Sequence, residues 1–112
     1  MFSYLAYTSL EQLENENQEL FDWMCLRLDS GRWWIRRDYE RLAVKYTLIS
    51  QQERNALHDE FQSKGSPSRM LMSLIWTRYP DLPLSDFVET LKKIGRNDIV
   101  QKLMPYVRHN DT

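Results

Sequence analysis

The chain has 112 residues, enough for one domain with a single hydrophobic core that needs no metal or disulfide to hold it. Hydrophobic residues make up 42% and charged residues 28%, proportions that exclude disorder over most of the length. The net charge of −1 at pH 7 indicates no class of partner by bulk charge alone.

A first helix is predicted over about residues 10–28. Ser9 and Gln12 have the spacing of a capping box, in which a hydroxyl and a side chain three residues later satisfy free backbone N–H groups at a helix start. The apolar residues that follow recur at helical spacing and form one stripe: Leu13, Leu20, Phe21, Met24 and Leu28. The sequence Asp29-Ser30-Gly31 is typical of a helix end.

The segment from Arg32 to Leu48 is richer in arginine and aromatic residues than any other part of the chain, and it predicts a second helix. Trp33 and Trp34 lie at or before the start of this helix. Its apolar face is expected to consist of Ile35, Tyr39, Leu42, Ala43 and Tyr46.

Capping signals mark the starts of the third and fourth helices. Ser50 and Glu53 have the capping-box spacing, and Ser66 followed by Pro67 is typical of an N-cap and a first helical residue. Lys64 and Gly65 separate the two helices. The residues predicted to be buried are Leu57 and Phe61 in the third helix, and Leu71, Leu74 and Ile75 in the fourth, with Trp76 left open.

The strongest helical pattern in the chain lies between Leu84 and Leu103, where two apolar series flank Gly95. The glycine is expected to take a left-handed conformation and end the fifth helix, and Asn97 or Asp98 is placed to cap the sixth. The two series are Leu84, Phe87, Val88, Leu91 and Ile94, then Ile99, Val100, Leu103, Met104 and Val107. The chain therefore predicts a compact antiparallel bundle of six helices, a single domain over residues 1–112 with a core between about residues 10 and 107 and frayed ends.

Three segments, in the right order and spacing, resemble the death-domain family over most of residues 20–104. The first is Asp38-Tyr39, Leu42-Ala43, Tyr46 and Leu48, similar to the family pattern D-W-x-x-L-A-x-x-L-G-L. The second is Ser66-Pro67-Ser68 with Leu71-Met72, and the third runs from Leu84 to Leu103 and includes Ile94-Gly95-Arg96 and Asp98. The chain departs from the family where Tyr39 replaces a tryptophan, Thr47 replaces a glycine and Arg54 replaces an apolar residue.

The resemblance implies a six-helix death fold and a non-enzymatic module that assembles with other death-fold domains, or with itself, in intracellular signalling. Charged surfaces carry such assembly, and the charges of this chain alternate along its length. The predicted basic face comprises Arg32, Arg36, Arg37 and Arg41, and the acidic faces comprise Glu14, Glu19, Asp22, Asp81 and Asp86. Arg96 and Asp98 match a family corner and are either a binding site or a helix cap with a local ion pair.

Residues that could support catalysis are few. His58 and His109 are far apart in the sequence, and Cys25 lies near the apolar stripe of the first helix, where a buried and inert thiol is expected. Asp38 and Glu40 face different directions on a helix, which favours solvated charge over acid–base chemistry. With no phosphate-binding loop, nucleophile motif or metal-ligand spacing, we expect no enzyme activity, cofactor, metal or small-molecule substrate.

The alternative function is nucleic-acid binding by the Trp/Arg-rich stretch over residues 32–41. Aromatic rings that stack on bases and arginines that pair with phosphates are typical of single-strand binders. Packing of one tryptophan in the core and of the other on arginine stems is the favoured interpretation, because the neighbouring acids weaken attraction to phosphate.

The compartment is predicted from the cysteine count and from hydropathy. A single cysteine cannot pair within the chain, which favours a reducing compartment. The first residues lack the basic region of a signal peptide, and no apolar run approaches the roughly 20 residues of a membrane span. A cytoplasmic location is therefore expected, without membrane insertion.

Overall fold

The computed structural model describes residues 7–30 and 38–107, and in these ranges the regular structure is helical, as predicted. There are seven α-helices where six were expected, followed by one turn of 3-10 helix at Met104–Tyr106. The longest have twelve residues, and none in the described ranges has the apolar length that a bilayer crossing demands. The helices are α1 (Leu10–Glu16), α2 (Gln18–Asp29), α3 (Asp38–Ala43), α4 (Gln51–Gln62), α5 (Pro67–Arg78), α6 (Leu84–Lys93) and α7 (Asn97–Leu103).

The additional helix arises because Asn17 divides the predicted first helix into α1 and α2. The backbone of Asn17 leaves the helical region, with φ −146° and ψ 68°. Its amide N–H donates to the carbonyl of Leu13 (2.8 Å) and closes α1, while its side-chain oxygen accepts from the N–H of Leu20 (3.2 Å) and caps α2. The prediction of one continuous helix over these residues was therefore wrong, because asparagine can cap as well as continue a helix.

The predicted caps at Ser50, Ser66 and Gly95 are confirmed. Ser50 and Glu53 form both bonds of a capping box, at 3.1 and 2.9 Å. Ser66 caps α5 by accepting from the N–H of Arg69 (3.3 Å), and Pro67 takes the first position of that helix. Gly95 ends α6 with φ +81°, a conformation that L side chains disfavour.

Two helix starts differ in detail from the prediction. Ser9 caps α1 by accepting from the N–H of Gln12 (3.1 Å), but the Gln12 side chain accepts from Thr8 (2.7 Å) instead of from Ser9. Arg96 occupies the N-cap position of α7 and makes no side-chain cap bond, so the prediction that Asn97 or Asp98 caps this helix was wrong. The arginine at this position is used elsewhere, as described below.

The core lies where the apolar stripes of the helices meet, with α2 packed against α1, α3 and α5. The predicted centres Leu42, Leu91 and Leu103 are fully buried. Leu74 was predicted to be equally buried, but it is half-buried at the edge of the core, as are Phe61 and Trp76. Leu71 and Ile75 of α5 are fully buried as predicted, and Met72 is fully buried with them.

The two ends of the described chain meet at Tyr7 and Val107. They form an isolated parallel bridge, in which the N–H of Tyr7 donates to the carbonyl of Tyr106 (2.6 Å). The rings of Tyr7 and Tyr106 stack with their centroids 5.9 Å apart. This contact anchors the segment before α1 against the 3-10 turn, so both ends of the bundle are fixed to one another.

Candidate protein-interaction site

Asp38, the first residue of α3, is a buried carboxylate that two arginines share. The residue is only 8% exposed. Its Oδ1 atom accepts from Arg41 Nη1 on the next turn of α3 (3.1 Å), and its Oδ2 atom accepts from Arg96 Nη1. The expectation that Asp38 is a solvated charge was therefore wrong, because arginines from two parts of the chain compensate its burial.

The Arg96 guanidinium donates hydrogen bonds to three residues and thereby joins α2, α3 and α7. Its Nε and Nη2 atoms donate to the two carboxylate oxygens of Asp98 at 3.0 and 2.9 Å, the bidentate geometry that a guanidinium favours. Its Nη1 atom donates to Asp38 and to the backbone carbonyl of Arg27 (3.2 Å) near the end of α2. We name this arrangement of Asp38, Arg41, Arg96 and Asp98 the Asp38 corner.

Hydrogen bonds at the Asp38 corner favour the charged forms of Arg96 and Asp98. Hydrogen bonds from Arg96 hold the pKa of Asp98 below its usual value. The same bond to Asp98, with a second to Asp38, raises the pKa of Arg96 although desolvation acts against the charged form. Gly95 takes its positive φ immediately before Arg96, and the turn between α6 and α7 brings the guanidinium to α3.

The Asp38 corner brings together three of the site residues predicted from the sequence, namely Arg41, Arg96 and Asp98. Arg41 keeps a third of its side chain exposed, whereas the Arg96 side chain is 16% exposed. The local ion pair expected between Arg96 and Asp98 is present. The other residues of the predicted basic face, Arg32, Arg36 and Arg37, lie outside the described residues, as do Trp33 and Trp34.

The predicted acidic residues fall in two separate places. Glu14, Glu19 and Asp22 lie on α1 and α2, where Asp22 forms an ion pair with Arg69 of α5. Asp81 lies exposed in the turn before α6 and Asp86 lies exposed in the first turn of that helix. Among the described residues, none of these five forms a hydrogen bond or an ion pair with a residue of the Asp38 corner.

A groove lies on the surface between α3 and α4. It has a volume of about 340 Å³, and Tyr39, Val44, Arg54 and His58 are among its lining residues. Val44 is 57% exposed and lies three residues after Arg41. An apolar side chain is thus available to a partner beside the exposed part of an arginine.

Two of the groups considered for catalysis, Cys25 and His58, differ in their surroundings. Cys25 is buried, and this burial raises the pKa of its thiol to about 12, so it is a neutral thiol rather than a nucleophile at neutral pH. His58 lies 3.8 Å from Glu40, a surface pair at the rim of the groove. Within the described ranges no group of three or more His, Cys, Asp or Glu side chains could hold a metal ion.

Sequence reasoning missed the part that Asp38 plays, although a signal was present. Asp38 and Arg41 have the i, i+3 spacing of a helical ion pair, and the resemblance had already placed Asp38 and Arg96 within its quoted motifs. Comparison with known proteins adds no further assignment: no protein-family model, curated protein or solved structure matches the chain.

Proposed function

We propose that the chain is a non-enzymatic protein-interaction domain of the death-fold type, which binds another death-fold domain in cytoplasmic signalling complexes. In this proposal α1 and α2 together take the place of the first helix of the fold, and α3 to α7 supply the other five. The partner docks on a basic face that includes Arg41 of α3.

The observation that supports this proposal best is the fixed position of Arg41. Asp38 accepts from Arg41 at 3.1 Å and is itself held by Arg96, so the Arg41 guanidinium is positioned before any partner arrives. A partner then pays less side-chain entropy to pair with it. Arg41 still has a third of its side chain in solvent, and an arginine can bind carboxylates through two N–H groups at once.

Sequence position supports a larger basic face around this residue. Arg36 and Arg37 directly precede Asp38, whose carboxylate anchors the start of α3 to the turn between α6 and α7. Acidic surfaces on the partner would complement the face, and such complementarity governs association rate and specificity more than affinity. The exposed Val44 adds an apolar contact beside it.

The test is the binding of purified death-fold domains by the chain and by the variant R36E/R37E/R41E. Each exposed pair contributes up to about 1 kcal/mol, so three reversals together are expected to abolish a binding that single changes only weaken. Binding by the unmodified chain should also fall between low and high salt. Helical content by circular dichroism should stay unchanged, whereas the melting temperature should fall, because the reversal of Arg41 removes its pair with Asp38 and places a like charge beside that buried carboxylate.

The matched control is K64E/K92E/K93E, which changes the net charge equally and leaves both the basic face and the groove intact. The control is expected to bind as the unmodified chain does. Equal binding by both triple variants would contradict the proposal. Capture of a single-stranded oligonucleotide, lost only in R36E/R37E/R41E, would instead support the alternative function of the Trp/Arg-rich stretch.

A further inference from the structure

The ring of Trp23 on α2 lies close to two cations, and the sequence patterns did not predict that these residues meet. The guanidinium carbon of Arg27, one turn later on α2, is 5.3 Å from the ring centroid. The Lys102 ammonium, in the last turn of α7, is 5.7 Å from the same centroid. Both distances are within the range of cation–π attraction, so the ring holds two positive charges at one place on the surface.

The most exposed large apolar side chain of the described residues lies next to this ring. Leu26 is 65% exposed and is three residues from Trp23, which makes the two side chains neighbours on α2. An exposed apolar side chain beside fixed charges is typical of a surface that binds a partner. We name Trp23, Leu26, Arg27 and Lys102 the cationic tryptophan surface.

The positive charges of this surface are not neutralised by the nearest acids. Neither Arg27 nor Lys102 forms an ion pair with a described residue. Asp29 lies two residues after Arg27, but its carboxylate accepts from the hydroxyl of Ser66 (2.5 Å) and the N–H of Ser68 (2.9 Å). Asp98 is likewise occupied, by the bidentate bond from Arg96.

Another surface of the chain has the complementary charge. Four glutamates follow one another on α1 and the first turn of α2, and none has an ion-pair partner among the described residues. We name Glu11, Glu14, Glu16 and Glu19 the acidic end. Eight residues of helix separate Glu19 from Arg27, a rise of about 12 Å, so the two charged surfaces lie too far apart to pair within one molecule.

We propose that the cationic tryptophan surface binds the acidic end of a second copy of this chain, so that copies assemble head to tail. Arg27 and Lys102 pair with glutamates of the neighbour, and Leu26 is covered in the contact. Because the two surfaces differ, the contact is heterologous, and each added copy leaves one surface of each kind free. This inference extends the proposed function to a separate surface and does not use Arg36, Arg37 or Arg41.

The test uses variants that remove the charges of one surface at a time. R27Q/K102Q removes the cations and E11Q/E14Q/E16Q/E19Q removes the acidic end. Glutamine has the shape of glutamate and a helix propensity similar to that of arginine, lysine and glutamate. Light scattering at low salt should show the mass of the unmodified chain rising with concentration above 13.6 kDa. Each variant alone should remain a monomer, because its association is weakened roughly tenfold or more.

The decisive measurement is a mixture of the two variants. Each retains the surface that the other lacks, so an equimolar mixture should form a dimer of one copy of each and grow no further. K64Q/K93Q, which removes two exposed cations elsewhere, should assemble as the unmodified chain does. Leu26→Ser should weaken assembly with an unchanged melting temperature, since the side chain is exposed.

Three results would overturn the inference: an unmodified chain that stays monomeric, assembly by R27Q/K102Q as strong as that of K64Q/K93Q, or a variant mixture that remains monomeric. Binding to anionic vesicles that R27Q/K102Q loses, together with monomeric behaviour in solution, would assign the surface to membranes instead. Failure here leaves the proposed function in place if R36E/R37E/R41E still loses its death-fold partner. Loss of the proposed function leaves head-to-tail assembly in place if that triple variant still self-associates.

Discussion

Arg96 and Asp38 are 58 residues apart in the chain and form an ion pair in which neither side chain is more than 16% exposed. The pair joins the N-terminus of α3 to the turn between α6 and α7, and the bond from Arg96 to the carbonyl of Arg27 adds the end of α2. A single guanidinium thus fixes three segments that meet at the Asp38 corner. Its loss would leave the Asp38 carboxylate with Arg41 as its only remaining arginine partner there.

We predict that Arg96→Ala lowers the free energy of unfolding by about 2–4 kcal/mol, because truncating one partner leaves a buried carboxylate undercompensated. Urea denaturation measures this change. Lys92→Ala is the control, since Lys92 pairs with Glu89 at an exposed position and should cost less than about 1 kcal/mol. Equal losses for the two variants would show that burial does not strengthen the Arg96–Asp38 pair.

Leu91→Ala should lower the free energy of unfolding by about 2–5 kcal/mol, the usual cost of truncating a fully buried leucine. Leu91 is completely inaccessible at the centre of α6, as the apolar pattern predicted. Leu26→Ala is the matched control, because the same truncation at 65% exposure removes little buried surface. A destabilisation by Leu91→Ala below about 0.5 kcal/mol in chemical denaturation would contradict its place in the core.

Gly95→Ala is predicted to destabilise by about 1 kcal/mol through the backbone alone. The glycine has φ +81°, and a Cβ atom added there would have no atom within 4 Å beyond Gly95 and its two chain neighbours, so steric contact with the rest of the fold contributes nothing. Gly95→Asn should cost less than Gly95→Ala, because asparagine tolerates the left-handed conformation. Equal melting temperatures for the two variants would argue against a purely conformational cost.

Local signals in the sequence were sufficient to predict features that depend only on neighbouring residues, such as the starts and ends of helices. Ser50 with Glu53, Ser66 with Pro67, and Gly95 each act within one helical turn, and all three were predicted correctly. Periodicity likewise identified the buried faces, because a helix places residues three and four apart on one side. The all-helical class followed from these two kinds of information.

Contacts between distant segments could not be predicted from the sequence in the same way. Asp38 was interpreted as solvated because it and Glu40 face different directions on a helix, and the approach of Arg96, together with Arg41, makes its burial tolerable. Leu74 lies on the apolar stripe of α5 but is only half-buried, because the stripe is wider than the area that the neighbouring helices cover. At Asn17 the backbone N–H closes α1 and the side-chain oxygen caps α2, a division that the apolar spacing alone did not require.

The free thiol of Cys25 should make the stability of the fold depend on alkaline pH. Burial raises its pKa to about 12 from the ordinary value of 9.0. Between these values the folded chain keeps the proton that the unfolded chain releases, so the free energy of unfolding falls as pH rises, by up to about 1.4 kcal/mol per pH unit. Below pH 9.0 the thiol is protonated in both states and contributes no pH dependence.

Urea denaturation between about pH 8 and pH 10 measures this slope, and Cys25→Ala serves as the control because it lacks the titrating group. The slope of the free energy of unfolding against pH should be less steep in the variant than in the unmodified chain. Burial also raises the pKa of Tyr46 above 10.0, and that contribution is common to both proteins and cancels in the comparison.

A thiol reagent at neutral pH should modify Cys25 only as fast as the chain opens. Equal slopes for the two proteins, or modification of the folded chain as rapid as that in urea, would show that the thiol is accessible and ionises normally.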